Sequence, residues 1–212
     1  WIDPEKALPW VEKHIGLALA ESQVVAIRLA LKSKVLVITG GPGVGHLMVD
    51  FNQGLHLGEA LQRCHAIDDF GLDWIEEPIV YDNLDGYVQL AAELKTPIQI
   101  GENFYGPRDL HQAVQRKACD YVMPDFMRIG GVTGWLRSAA IAGAAGIPMS
   151  THLYPEVAAH VMRVTETAHW LEWQDWADPV LQKPYEIKNG LLHVPDVPGV
   201  GLEWNEEVIA TH

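Results

Sequence analysis

The chain has 212 residues and a formal charge of 15 − 28 = −13, with 48% of its residues apolar and 20% charged. That balance belongs to a globular domain with a sizeable core, and it excludes a disordered acidic tail. So acidic a chain lacks the basic stripe a nucleic-acid groove requires, and its longest apolar runs, such as Val35–Ile38, fall far short of a bilayer span. No basic and apolar leader opens the sequence, and two cysteines, Cys64 and Cys119, make no disulfide framework, so a cytoplasmic setting is expected. The first residue is Trp1 rather than Met, so a piece of something longer is expected.

Asp3-Pro4-Glu5 is an N-cap, a proline and an acidic first turn, which predicts a helix through about Lys13. Glu21 to Lys32 reads as a second, largely apolar helix. Lys34–Thr39 is a short β-branched strand, and Gly40-Gly-Pro-Gly-Val-Gly45 follows it as a loop. From His46 onward six apolar runs each end in a polar, chemically capable residue: Asp50, Glu76, Glu102, Asp125, His152 and Glu172. The steps between these ends are 26, 26, 23, 27 and 20 residues, with helix-like stretches at Leu57–Phe70, Leu84–Leu94, Pro107–Lys117 and Gly134–Ala145 between them. A strand, a helix and two loops need about this much chain, so the class is α/β with parallel βα units. If these units close as a barrel, all six polar ends converge on one face. The tail Gly190–Trp204 carries turn chemistry and short strand pieces, and reads as a closing segment.

Asp50, Glu76 and Glu102 are hard oxygen donors on three consecutive strand ends, a set that suits Mg²⁺ better than zinc. Any one of them is explained as well by an acid at a solvent-facing strand end. Three together repel unless a cation neutralises them. Asp125 and His152 occupy the next two ends, where the carboxylate can fix the imidazole tautomer and raise its basicity, which makes His152 a general-base candidate. Histidines 56, 65, 111 and 160 fall on predicted helices and are read as surface or satisfied groups. Glu172 on the last run is a candidate hydrogen-bond donor to a developing oxyanion, with plain solvent exposure as the other reading.

The motifs Met48-Val-Asp-Phe-Asn-Gln53, Trp74-Ile-Glu-Glu-Pro78, Gly101-Glu-Asn103, Met123-Pro-Asp125, Arg128-Ile-Gly-Gly-Val-Thr-Gly-Trp135, Ser150-Thr-His152 and His169-Trp-Leu-Glu172 stand in order along the chain, and Pro195–Gly201 fits with them. Residues 46–212 thereby resemble the C-terminal part of mandelate racemase and its relatives in the enolase superfamily. The resemblance implies a partial TIM-type (β/α) barrel, its third to eighth strands. It implies Mg²⁺ on Asp50, Glu76 and Glu102, an Asp125–His152 base dyad, and Glu172 as the electrophilic partner of the substrate carboxylate. Asn52 matches a polar position beside the metal. Arg128 stands where mandelate racemase has lysine, and both are assigned to substrate binding. The implied reaction is abstraction of the proton α to a carboxylate of an α-hydroxy or sugar acid, giving an enediolate, followed by racemisation or dehydration. No nucleic-acid or membrane partner is implied, and a homo-oligomer is.

That family places a second base in a Lys-x-Lys motif on the strand before Asp50. Here Lys32-Ser-Lys34 precedes its strand rather than ending it, and a surface role follows. Residues 1–45 instead resemble a stretch of superfamily-one DNA helicases of the exodeoxyribonuclease V alpha-subunit type, through Ala20-Glu-Ser-Gln23 and Val35–Gly45. His46 and Leu47 stand where the phosphate loop needs Lys and Ser or Thr, so a nucleotide-binding module is the weaker reading. The resemblances meet at 45/46, which reads as a fusion of a non-native helix-helix-strand segment to the barrel part. An inactive fusion that keeps the scaffold is a further alternative. The glycine-rich connection is too short for a crossover helix, so a hairpin-like junction, an opened barrel and exposed apolar surface are expected.

Overall fold

The structure, a computed structural model, describes residues 45–211, the backbone of strand Leu36–Thr39, and the helical positions Pro9, Lys13 and Val24. The remainder of the two helices expected before residue 33, the Lys32-Ser-Lys34 motif and most of the glycine loop lie outside the described residues. By its internal contacts the chain divides into two compact units, Trp1–Gly101 with Gln112–Tyr121, and Glu102–His111 with Val122–His212.

In the first unit β1 (Leu36–Thr39) pairs antiparallel with β2 (Leu47–Asp50) in the register Leu36↔Asp50 to Thr39↔Leu47. That antiparallel order agrees with the hairpin-like junction expected, whose residues 40–44 lie outside the described residues. Strand β2 then pairs in parallel with β3 (Trp74–Glu76), and β3 with β4 (Ile98–Ile100). Asp120 N donates to Ile98 O at 3.0 Å, setting Tyr121 of β5 (Tyr121–Val122) beside β4. All residues of β2, β3 and β4 are buried, as continuous apolar strands of a parallel sheet require. Helix α1 (Leu57–Ile67) buries Ala60, Cys64 and Ile67, positions four and three apart and hence one face. Helix α2 (Leu84–Glu93) starts at Asn83, whose side chain accepts from Gly86 N, and buries Tyr87 and Leu90.

The second unit takes the first part of α3 (Pro107–Arg116), then α4 (Gly131–Ala145) and α5 (Pro155–Met162). The runs ending at His152 and Glu172 form no ladders. They continue the parallel succession as single bridges, Val122↔Met149, Asp125↔His152 and Met149↔Ala168. Prolines explain this in part. Pro124 and Pro148 have no N–H to give, and each serves only as acceptor, from His152 N at 3.3 Å and Val122 N at 3.0 Å. The closing segment is a hairpin of β6 (Glu186–Lys188) and β7 (Leu191–His193), followed by the short helix α6 (Glu206–Ile209). Trp176 and Leu191 are exposed, at 70% and 68%. Among the described residues no helix is long and apolar enough to cross a membrane.

Helix α4 begins one residue after the left-handed Gly130 and ends at the left-handed Gly146, whose N–H closes on Ala142 and Gly143 carbonyls. Within its first turn Gly134 presses on the preceding loop, and a Cβ there would lie 1.8 Å from the Ile129 carbonyl oxygen. Backbone on both sides leaves no side chain to yield. Gly134→Ala is expected to cost more than about 4 kcal/mol, read as loss of the cooperative unfolding transition or of folded protein.

Asp68, at the end of α1, accepts the amide N–H groups of Lys95 (3.0 Å) and Thr96 (2.8 Å) and so ties two loops together. Burial, the largest single influence, works against its ionisation. The hydrogen bonds from Lys95 and Thr96 and the Lys95 charge outweigh burial and hold the carboxyl below the usual range. Because the folded value is the lower one, this stability is present above the unfolded carboxyl value, about pH 4, and is lost as pH falls through the folded value. Asp68→Asn is therefore expected to lose about 1 kcal/mol near neutrality and to show a flatter acid limb in chemical denaturation.

Candidate active site

In the first unit the parallel register sets Asp50 directly against Glu76. Both side chains are buried, at 5% and 2% exposure. Asp50 accepts the N–H of Asn52 at 2.7 Å across a turn in which Asn52 and Gln53 both take left-handed φ, 43° and 59°. Glu76 Oε2 accepts the Trp74 indole N–H and the Gln99 amide, each at 3.0 Å. Glu77 is buried too. It holds φ 33° directly before Pro78, a position that ordinarily favours extended backbone, and its Oε1 accepts Gly101 N at 3.2 Å. Strain of this kind persists only where neighbouring contacts impose it.

In the second unit Asp125 divides its two oxygens. Oδ1 accepts the N–H groups of Met127 and Arg128 at 2.8 and 2.9 Å, and Oδ2 meets His152 Nδ1 at 2.9 Å. The other ring nitrogen of His152 lies 3.3 Å from Glu102 Oε2. Burial is the largest influence on the imidazole and favours its neutral form. The Asp125 hydrogen bond and the charges of Glu102, Glu172 and Asp125 outweigh it and raise its pKa. Burial likewise opposes ionisation of Asp125, and the hydrogen bonds from His152, Arg128 and Met127 hold that carboxyl low. Glu102 also accepts from Asn103 Nδ2 at 3.0 Å. Arg128 Nη1 donates to Glu102 O at 2.8 Å and to Asn103 Oδ1 at 3.0 Å. Glu172 Oε2 accepts Leu153 N at 2.6 Å, and its own N–H donates to Thr151 Oγ1 at 2.9 Å. Leu153 and Tyr154, between His152 and α5, are both left-handed at φ 50°.

The second unit thus brings Glu102, Asp125, Arg128, His152 and Glu172 into one network, while the first unit pairs Asp50 with Glu76. Asn52 enters through its backbone N–H and is exposed. Among the described residues no three His, Cys, Asp or Glu side chains are gathered as a metal ion needs. Asp50 and Glu76, buried and facing each other in the first unit, are hard oxygen donors that fit Mg²⁺, and their mutual repulsion is a cost that a cation would relieve. Gln99 and Asn103 hydrogen-bond the candidate carboxylates Glu76 and Glu102, and Glu77 is the buried acid next to Glu76; the strand-end reading passed over all three. Glu77 and Asn103 stand inside quoted motifs, and Gln99 is a polar residue within an apolar run, which was the available signal.

The model of the family described as enolase C-terminal domain-like matches residues 32–208. The chain belongs to that family. The match starts upstream of the boundary expected at His46 and takes in β1. L-talarate/galactarate dehydratase of Salmonella typhimurium is 33% identical over 161 residues, 76% of this chain and 40% of that protein. A crystal structure of an enolase from the alpha proteobacterium bal199 with bound Mg is 71% identical with a TM-score of 0.77, covering 79% of this chain and 46% of that one. An enolase from Bradyrhizobium, complexed with magnesium and mandelic acid, is 36% identical with a TM-score of 0.79, covering 100% and 60%. The chain spans about half the length of such relatives. Its homologues are enzymes of the enolase superfamily, dehydratases and cycloisomerases of sugar acids among them. The α/β class and the parallel βα succession agree with that membership.

Arg128 ties the Glu102–Asn103 segment to the loop after β5 with one guanidinium nitrogen. Arg128→Met is expected to lower unfolding free energy by about 1–3 kcal/mol, and Arg128→Lys to recover only part, because an ammonium on a flexible stem holds the two acceptors less rigidly than the planar guanidinium. Equal denaturation midpoints in all three proteins would contradict this.

Proposed function

We propose that this chain carries the Mg²⁺-assisted proton-abstraction site of an acid-sugar or α-hydroxy-acid enzyme of the mandelate racemase type. The observation that supports it most is the Asp125–His152–Glu102 arrangement, an imidazole fixed on one side by a buried carboxylate and raised in basicity. The relatives that bind magnesium with mandelic acid or L-glucarate support the substrate class. Asp50, Glu76 and Glu102 would hold Mg²⁺, which when bound supplies positive charge for the substrate carboxylate. His152 Nε2 takes the proton α to that carboxylate, while Asp125 keeps Nδ1 protonated and stabilises the imidazolium. Arg128 binds a substrate oxygen and orients the Glu102 segment, and Asn52, in the turn after β2, contributes a polar group to substrate binding. Glu172 faces the second carboxylate oxygen as the electrophilic partner.

His152 acts on one face of the α-carbon, so exchange of the α-proton of one enantiomer is the minimal activity. The test incubates the chain with Mg²⁺ and mandelate or galactarate in D₂O and follows α-deuteration by NMR. His152→Asn is expected to lower the rate by roughly 10²–10⁴-fold, and chelation of the metal to abolish exchange. Equal exchange in wild type and His152→Asn would sink the proposal.

A further inference from the structure

On the second unit a cleft of about 480 Å³ lies between the start of α3 and the middle of α4. Tyr105, Pro107, Arg108, His111, Arg137 and Ile141 line it. Arg108 and His111 are three apart on α3, and Arg137 and Ile141 four apart on α4, so each pair shares a helix face. Arg63, Lys95, Arg116, Arg128 and Lys188 each have a carboxylate within 4.0 Å. Among the described residues Arg108, Lys117, Arg137, Arg163 and Lys183 have none, and of these Arg108 and Arg137 line the same cleft. Asp109, the acid in the same turn of α3, accepts Tyr105 N at 2.9 Å and serves the loop.

In a chain of charge −13, two guanidiniums without a carboxylate partner line one hollow. Like charges there repel, and an anion between them removes that cost. The guanidinium fork suits phosphate and carboxylate oxygens, and the volume falls in the range of small-ligand sites. Pro107 and Ile141 supply an apolar wall, and the Tyr105 ring, 69% exposed, offers a stacking face.

We propose that this cleft binds a small phosphate-bearing molecule with an aromatic body, its phosphate oxygens on Arg108 and Arg137 and its ring on Tyr105. Calorimetric titration with ADP and with inorganic pyrophosphate tests it. The expected result is saturable 1:1 binding of ADP, weakened roughly tenfold or more by Arg108→Ala and by Arg137→Ala. Tyr105→Ala is expected to weaken ADP and leave pyrophosphate unchanged, and Lys188→Ala on the β6–β7 hairpin to change neither. These side chains are exposed, so the variants keep the fold, which the unchanged thermal transition verifies. Absence of saturable heat overturns the proposal. So does ADP binding that survives both arginine variants, or one weakened equally by Lys188→Ala.

Discussion

The carboxylate of Asp125 organises the part of the site that follows residue 101. A carboxylate at 3% exposure has to satisfy both oxygens inside the protein or be expelled. Asp125 does so asymmetrically, with two backbone N–H groups on one oxygen and an imidazole on the other. The backbone bonds shape the loop that leads into α4 and aim the Arg128 side chain. The imidazole bond sets the tautomer and places the opposite nitrogen toward Glu102. One buried acid therefore couples loop shape, arginine placement and histidine basicity, and none of the three is independent of the others.

A different constraint governs the first unit. Its parallel register leaves Asp50 and Glu76 no choice but to face each other, since a one-residue slip would send every buried side chain to the wrong face. The second carboxylate is then held by groups from its own and the next strand, Trp74 and Gln99. Backbone strain concentrates beside these acids, at Asn52, Gln53 and Glu77, and again at Leu153 and Tyr154 after His152. Strained non-glycine residues next to buried acids are a familiar mark of a functional site.

The proposed proton-abstraction site and the cationic cleft between α3 and α4 rest on different features. The first depends on buried acids held by directed hydrogen bonds. The second depends on exposed cations for which the fold provides no counter-charge. They are separable because they draw on different residues and different physics.

Much of the βα succession was legible in the sequence. A strand, a helix and two loops consume a nearly constant length, so the spacing anticipated the succession of runs. Asp50 and Glu76 do end β2 and β3, whereas Glu102 and Asp125 lie two and three residues past β4 and β5 and the runs at His152 and Glu172 make only single bridges. Helix limits came out within a few residues, as α1 ending at Ile67 rather than Phe70 shows, because caps and periodicity are local too. Pairing between distant residues was not legible. That the runs at His152 and Glu172 make single bridges depends on prolines in neighbouring runs, and the partners of Glu76 and Glu102 come from residues up to fifty positions away. Gln99, Glu77 and Asn103 acquired roles only through those contacts. Sequence by itself determined which residues are capable of the chemistry, since residue type and spacing are properties of the chain. Tertiary structure alone decided which oxygen meets which donor, since a hydrogen bond requires two groups that only folding brings within 3 Å.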